Sequence, residues 1–184
     1  ITDTKFKPLA LEGYSRSSVV YACIENLATS VPEPPVKFYV SSVENDDEEI
    51  SVDNGLEELL KHPNELMSQY DMFRLATVHL SISGITYWWK ERSNDGTVIA
   101  LWPLRPDRVG PLYSTSTAKG QRVLSHWVYH NPGTNEPIFL PRGDVWFTNY
   151  PDPLGPSGGM VEGLGPLIAL AREVASDNEA TRFV

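Results

Sequence analysis

The chain has 184 residues, of which 41% are hydrophobic and 21% charged, and its formal net charge is −9. This composition predicts a soluble globular core with no membrane partner, since no apolar run reaches the roughly 20 residues that span a bilayer. The negative charge opposes nonspecific attraction to nucleic-acid phosphates, and the single cysteine, Cys23, excludes an internal disulfide framework and a multi-cysteine zinc site.

The first third of the chain predicts a lead-in, two helices and a strand. Residues 1–16 show no period and are expected to be extended. Ser17 or Ser18 can cap a helix to about Val31, and 3.6-residue spacing predicts that its buried stripe comprises Val20, Cys23, Ile24, Leu27, Ala28 and Val31. Prolines then end this helix. A short strand over Val36 to Val40, an acidic loop over Glu44 to Glu49 and a helix capped by Asn54 follow.

The middle of the chain predicts a buried helix that runs directly into an aromatic hairpin. The helix opens at Asp71, is apolar on several faces and ends at Gly84; its His79 is interpreted as a core residue. Ile85 to Trp102 then reads as two strands around Ser93-Asn94-Asp95-Gly96, with Asp-Gly favouring a type I′ turn. Alternation places Tyr87 and Trp89 on one face of the first strand and Trp88 on the other.

Further short strands, a long loop and a last helix complete the prediction. The strands cover a proline-rich edge segment after Trp102, then Val123 to His130, Pro137 to Leu140 and Asp144 to Thr148, after a polar tip over 114–120. Tyr150 to Gly165 is a glycine-rich loop, interpreted as a flexible linker. A helix starts near Leu164, and its stripe comprises Leu167, Leu170, Ala171, Val174 and Asn178. We expect the natural protein to continue beyond Val184.

The predicted fold class is α+β, an antiparallel, mainly-β meander of about five to six strands packed with three to four helices. The predicted organisation is a lead-in over 1–16, an α+β domain over 17–163 and a terminal helix over 164–184. The sequence contains no recognisable catalytic or metal-binding motif. His126 and His130 fall on a strand, about 13 Å apart, which is too far for both to bind one zinc ion. The glycine-rich loop lacks the lysine of a phosphate-binding loop. No catalytic residue, cofactor or metal is predicted.

In order, these elements resemble the phage portal proteins of the HK97-like family. The resemblance covers nearly all of residues 14–184, and it rests on the order and spacing of several motifs rather than on one specific motif. These are VVYACIENLATSVPEPPVKFYV, His62-Pro63-Asn64, DMFRLATVHLSISGITYWW, GTVIALWPLRPDRV, DVWFTNYP and GLGPLIALAREVASDNEATRFV. One departure is Thr86, which stands in ITYWW where the family has an asparagine in a glycine-asparagine-alanine-like segment.

The resemblance implies a structural subunit of the portal ring, usually of twelve copies, at one vertex of the capsid. Its implied partners are copies of itself, the terminase, a head–tail adaptor and the double-stranded DNA that passes through the channel. The implied location is the virion, with the host cytoplasm during assembly. This chain would be the N-terminal wing region, without the clip, crown and most of the stem. Our candidate subunit-interface residues are Trp88, Trp89, Pro153, Leu154 and Met160.

Two alternatives from other classes stay open. Hairpins rich in Trp and Tyr also form platforms for carbohydrates or peptides, so the chain could be a ligand-binding module. It could also be part of an enzyme whose catalytic half lies beyond Val184. Ligand titration would test the first alternative, and the sequence after Val184 would test the second.

Overall fold

The N-terminal segment is helical and belongs to the core. The computed structural model describes residues 6–42, 45–49, 55–115, 122–134, 136–155 and 157–181. Helix α1 covers Phe6–Pro8, and a π-helix covers Leu9–Tyr14. The prediction of an extended lead-in is therefore wrong for residues 6–14. The physical reason is tertiary: Leu9 is fully buried against Ile82 and Leu167, a long-range contact that leaves no periodic pattern in the segment itself.

Helix α2 spans Ser18–Ser30, and its predicted cap is confirmed because the Ser17 hydroxyl accepts a hydrogen bond from the Val20 amide at 3.4 Å. Only part of the predicted stripe is covered. Ile24 and Ala28 are buried, whereas Cys23 is exposed and Leu27 is 55% exposed. The prediction that Cys23 is buried is wrong, because the line of α2 that the fold covers runs through Ile24 and Ala28.

The acidic stretch forms a strand where a loop was predicted. Strands β1 (Tyr39–Ser42) and β2 (Asn45–Glu49) pair antiparallel, with Tyr39 opposite Glu49. The first strand thus starts later than predicted, and Glu44 lies outside the described residues. Backbone pairing with β1 overrides the low strand propensity of Asn, Asp and Glu.

Two helices lead into the central sheet. Helix α3 spans Leu56–Lys61, and Gly55 precedes it; the predicted cap, Asn54, lies outside the described residues. Helix α4 spans Gln69–Ser83 and begins with a capping box in which Ser68 and Asp71 exchange side-chain to backbone hydrogen bonds. Gly84 ends α4 in the left-handed conformation with φ of 75°. The predicted helix and its glycine stop are confirmed. The helix starts at Gln69, two residues before the predicted Asp71, and Ser68 is its cap.

The α+β class and the six central antiparallel strands are confirmed, but the strands form two separate sheets. The strands are β3 (Ile85–Arg92), β4 (Val98–Leu104), β5 (Val109–Thr115), β6 (Arg122–His130), β7 (Pro137–Pro141) and β8 (Val145–Asn149). One sheet has the order β4-β3-β8 and the other β5-β6-β7. Strand β8 therefore pairs with β3 and does not continue the meander from β7.

Strand β3 is central and covered on both faces, as its alternation predicts. Tyr87 packs in a core cluster with Trp127 of the second sheet, and Trp88 packs in another with Met72 of α4. The turn differs from the predicted two-residue type. The Gly96 amide donates to the Ser93 carbonyl at 3.0 Å, and the Ser93 amide donates to the Thr97 carbonyl at 2.9 Å. The loop thus has three residues, with Gly96 at φ of 88°.

The segment after α3 covers the free edge of β4. The Leu101 amide donates to the Pro63 carbonyl at 2.6 Å, and the Asn64 side-chain amide donates to the Leu101 carbonyl at 2.8 Å. These two bonds satisfy backbone groups that an open edge would expose to pairing with another chain. The conspicuous His62-Pro63-Asn64 motif therefore has a structural role at the sheet edge.

The C-terminal segment contains two helices where one was predicted. Helix α5 spans Pro166–Ala169, with Pro166 in its first turn as expected, and α6 spans Ala171–Thr181. Leu170 lies between them with φ of −90° and ψ of 0°. Leu167, Ala171 and Val174 are buried as predicted, whereas Leu170 is 51% exposed.

Candidate subunit-interface site

The loop from Tyr150 to Gly165 is held at its base by glycine contacts with the end of α4. A Cβ atom on Gly84 would lie 2.4 Å from the Gly165 nitrogen, and one on Gly163 would lie 2.3 Å from the Gly84 oxygen. Side chains cannot fit at such distances, so the close approach requires glycine. The Tyr150 amide also donates to the Gly84 carbonyl at 2.8 Å, and the Leu164 amide to the Tyr150 carbonyl at 2.9 Å.

Polar side chains fix the interior of the same loop. The Asn149 side-chain amide donates to the carbonyls of Gly159 at 2.9 Å and Glu162 at 2.5 Å. The Glu162 carboxylate accepts from the Ser157 amide at 3.2 Å and from the Ser157 hydroxyl. The interpretation of this loop as a flexible linker is therefore wrong, because its backbone carbonyls and amides are tied by specific hydrogen bonds.

The tip of this loop presents apolar side chains to solvent. Leu154 is 93% exposed, and Pro153 beside it is also exposed; Met160, further along the loop, is 73% exposed. An anchored base combined with an uncovered apolar tip is typical of a surface that a partner covers. Three of the five candidate interface residues thus lie together in one loop.

The other two candidates, Trp88 and Trp89, lie within the fold. Trp88 is 6% exposed, and its ring lies 5.4 Å from Phe73 and 4.6 Å from Trp146, between ring centroids. Trp89 is half-buried against the core cluster that contains Tyr87 and Trp127. Buried residues on both faces of the hairpin strand pack against the chain itself, and Trp88 also borders an apolar groove with Trp146. The aromatic hairpin therefore offers less free surface than its composition predicts.

An apolar groove between α2 and α5 is a second uncovered surface, which the sequence reasoning missed. It has a volume of about 280 Å³, and its lining includes Val19, Cys23, Leu27, Leu167 and Leu170. Val19 is 68% exposed. The sequence did contain a signal for this apolar surface. Val19 and Tyr21 extend the apolar residues of α2 beyond a single stripe, and such a pattern indicates a helix that is covered on more than one side.

A polar cluster holds the helices beside this groove in place. The Glu25 carboxylate of α2 accepts hydrogen bonds from the Tyr14 hydroxyl and, at 2.5 Å, from the Arg74 guanidinium of α4. The hydrogen bond from Tyr14, and then that from Arg74, hold the pKa of Glu25 below its ordinary value. Burial and the Glu25 hydrogen bond raise the pKa of Tyr14. These bonds join the N-terminal π-helix, α2 and α4.

His79 is buried in α4, as predicted. Its ring packs edge-on against Phe6 at 5.8 Å between centroids, and its Nδ1 atom has no hydrogen-bond partner within the described part of the chain. Burial lowers the pKa of His79 to about 4, with Asp107 opposing and Arg105 adding to the shift. This histidine is therefore neutral near pH 7.

Metal-binding and membrane-spanning features were sought in the ranges that the structure describes. No group of three or more His, Cys, Asp or Glu side chains there is arranged to hold a metal ion. His126 and His130 lie on β6, a strand, in agreement with the spacing argument. In the same ranges, every helix is too short or too polar to cross a bilayer.

Comparison with known proteins identifies the fold and the family. Three chains of gene transfer agent (GTA) particles are similar in structure. A chain from the neck of an empty GTA particle, computed with C6 symmetry, has a TM-score of 0.77 at 18% identity and covers 97% of this chain and 45% of that chain. A chain from the virion of the native GTA particle has a TM-score of 0.74 at 18% identity, and covers 97% and 43%.

A third chain, from the neck of the native GTA particle computed with C12 symmetry, has a TM-score of 0.74 at 16% identity and covers 97% and 43%. No curated protein is similar enough to count as a match. The chain spans less than half the length of these solved structures, and at such identities the likeness shows a shared fold. The family model described as phage portal protein matches residues 18–184. The chain therefore belongs to the phage portal protein family.

Proposed function

We propose that this chain is the wing region of a structural subunit of a phage portal ring, the head–tail connector through which DNA is packaged and ejected. The observation that carries the proposal is the match of the phage portal model to residues 18–184. The proposed role is mechanical: it involves no catalysis and no cofactor.

The uncovered surfaces of the fold support assembly into a ring. A closed ring of identical subunits is built from heterologous contacts, in which two different surfaces of one chain meet. The exposed tip of the loop over Tyr150 to Gly165 and the groove between α2 and α5 are two such surfaces. The computed C6 and C12 symmetries named for the similar neck chains are compatible with this arrangement.

The proposed partners are copies of the same subunit, in a ring of twelve, together with terminase, a head–tail adaptor and double-stranded DNA. The proposed location is the portal vertex of the virion, with the host cytoplasm during assembly. The net charge of −9 fits a channel protein that lets DNA slide, since strong phosphate binding requires many Lys and Arg contacts.

Negative-stain electron microscopy of the full-length parent protein tests this proposal. Rings with a central hole are the expected result. A monodisperse monomer at high protein concentration would contradict it. For residues 1–184 alone we expect a monomer or weak dimer in size-exclusion chromatography, because this stretch covers only 45% and 43% of the similar neck chains.

The alternative of a carbohydrate- or peptide-binding platform on the aromatic hairpin has less support. A platform needs exposed rings, and Trp88 is only 6% exposed while Trp89 is half-buried. Titration with oligosaccharides and peptides, monitored by tryptophan fluorescence, distinguishes a ligand-binding module from a portal subunit. Saturable binding by a protein that forms no rings would favour the ligand-binding module.

A further inference from the structure

We propose that the groove between α3 and the sheet β4-β3-β8 binds a segment of a partner protein that carries bulky apolar side chains beside a carboxylate. We call this depression the α3–sheet groove, and its apolar lining includes Leu56, Leu59, Leu60, Trp88, Leu101 and Trp146. Such a binding surface goes beyond the proposed function, because a ring can assemble without it.

The α3–sheet groove has the size and lining of a binding site. Its volume is about 440 Å³, against about 280 Å³ for the groove between α2 and α5. Ligand sites in proteins have volumes of about 300–1,000 Å³ and are lined mainly by apolar and aromatic side chains. Leucines of α3 form one wall here, and the rings of Trp88 and Trp146, 4.6 Å apart between centroids, form part of the other.

The fold leaves the α3–sheet groove partly open to solvent. Three of the six residues of α3 are leucines, yet none of the six is buried. Leu56 is 43% exposed and Trp146 is 42% exposed. Apolar side chains that are exposed together in a concave surface indicate a site that a partner covers. Removing this apolar surface from water would contribute favourably to binding.

One positive charge lies in this apolar lining. Lys90 is half-buried, lies on the same face of β3 as Trp88 and is opposite Leu101 in the register with β4. It is the only charged side chain in the lining, and its ammonium group has no ion-pair or hydrogen-bond partner in the ranges that the structure describes. The carboxylates closest in sequence to the lining already have partners: Glu57 pairs with Lys61, Glu58 faces His62 at 3.8 Å, Glu91 accepts from the Trp102 indole and Asp95 accepts from the Thr97 amide.

The unpaired Lys90 determines the chemistry of the occupant. A purely apolar occupant would cover this ammonium group without pairing it, and a covered, unpaired charge costs free energy. A carboxylate on the occupant would pair with a cation for which no other carboxylate competes. Charge pairs beside an apolar contact fix orientation and discriminate between partners. The groove therefore favours a segment in which a carboxylate lies next to aliphatic or aromatic side chains.

An open groove between a helix and a sheet favours a protein segment over a free small molecule. Small-molecule sites enclose about 70–90% of the ligand surface, whereas the walls here remain partly exposed. A protein segment can place successive apolar side chains along such a groove while the rest of the partner stays outside. This mode differs from a flat aromatic platform, because Trp88 is buried in the wall and the α3 leucines supply much of the contact.

Fluorescence polarisation with the full-length parent protein and two labelled helical peptides tests this proposal. The acidic probe has leucines at positions i, i+3 and i+7 and glutamates between them, and the basic probe has lysine in place of each glutamate. The net charge of −9 on residues 1–184 favours the basic probe through general electrostatics. A preference for the acidic probe must therefore come from a local cation.

We expect the acidic probe to bind saturably and about tenfold more tightly than the basic probe. Lys90→Glu should reverse this preference, and Lys90→Gln should remove it. Arg16→Glu is the matched control, because Arg16 is an exposed cation outside the lining and its replacement should leave the preference unchanged. Leu59→Gln should weaken binding of both probes, with circular dichroism used to check that the variant is folded.

Two results would overturn the proposal. One is the absence of saturable binding by the acidic probe, which is expected if a second copy or the rest of the parent chain already covers the groove. The other is a preference that Lys90→Glu and Lys90→Gln leave unchanged, or that Arg16→Glu alters equally. Failure of the parent protein to form rings in electron microscopy would instead contradict the proposed function and would leave the peptide result standing.

Discussion

Strand β3 and the loop from Tyr150 to Gly165 are both rich in large apolar residues, but the fold covers only one of them. Trp88 of β3 is 6% exposed, whereas Leu154 of the loop is 93% exposed. The difference arises from backbone pairing: β3 has a hydrogen-bonded strand on each side and packed side chains on both faces, whereas the loop pairs only at its base. Apolar residues in β3 stabilise the fold, whereas Leu154 and its apolar neighbours in the loop are exposed to solvent.

The strongest test of this contrast compares Trp88→Ala with Leu154→Ala. Removing the buried indole leaves a cavity between α4 and the sheet, so we expect a loss of about 3–5 kcal/mol in the free energy of unfolding. The Leu154 change should alter that free energy by less than about 0.5 kcal/mol. Urea denaturation of residues 1–184 measures both values. Similar losses for the two variants would contradict the division between a folding region and an assembly region.

A second test uses pH, because the fold buries a titratable side chain, His79 of α4, whereas Leu154 and its apolar neighbours in the loop do not titrate. His79 has a pKa of about 4 in the folded protein and about 6.5 when unfolded. The unfolded chain therefore binds more protons between these values, and stability falls as pH decreases from 6.5 towards 4 by up to about 1.4 kcal/mol for each pH unit.

Denaturation curves at several pH values measure this slope. His79→Leu should remove most of it, and Leu154→Ala should leave it unchanged. Asp107 and Arg105 face the histidine and remain charged through most of this range. An unaltered slope in His79→Leu would show that other groups cause the pH dependence.

A third test addresses Gly84, which lies just before β3 and contacts the base of the loop from Tyr150 to Gly165. Gly84→Ala places a methyl group 2.4 Å from the Gly165 nitrogen at φ of 75°. Backbone strain of about 1–3 kcal/mol is then added to a steric clash with the loop base. The matched control is Gly55→Ala, which has a similar φ of 73° and open space around it. Thermal unfolding should show a larger loss for Gly84→Ala, and equal losses would mean that the loop base yields easily.

The smallest expected effect concerns the interior of the loop. Asn149→Ala removes the donor to the Gly159 and Glu162 carbonyls, at a cost of about 1 kcal/mol. We expect this change to appear mainly as faster amide hydrogen exchange and proteolysis within the loop. Asn131→Ala is the control, because Asn131 serves a hairpin turn by accepting from the Gly133 amide. Unchanged exchange in the loop would show that the glycine contacts alone fix it.

The sequence predicts the fold best where local signals agree. Helix α4 has a polar start, several apolar faces and a glycine stop, and β3 follows with strict alternation. Prediction failed where partners distant in the chain decide the structure. Leu9 is helical because Ile82 and Leu167 cover it, β2 is a strand because β1 pairs with it, and β8 returns to β3 across two intervening hairpins.

The candidate site was predicted in part. A loop rich in glycine and proline marked the position of Leu154 and Met160, but composition did not reveal that its base is fixed by contacts with Gly84. The burial of Trp88 and the exposure of Cys23 depend on which neighbouring elements cover each face, and sequence period alone does not contain that information.

The place of β3 between β4 and β8 has a further consequence for the order of folding. Its pairing with β4 closes a short hairpin, whereas its pairing with β8 joins residues such as Trp89 and Val145 that are far apart in the chain. Loop-closure entropy delays the second pairing relative to the first. During synthesis, one edge of β3 stays open until residues beyond Asn149 have left the ribosome. That interval is when strand exchange between nascent chains competes with correct folding.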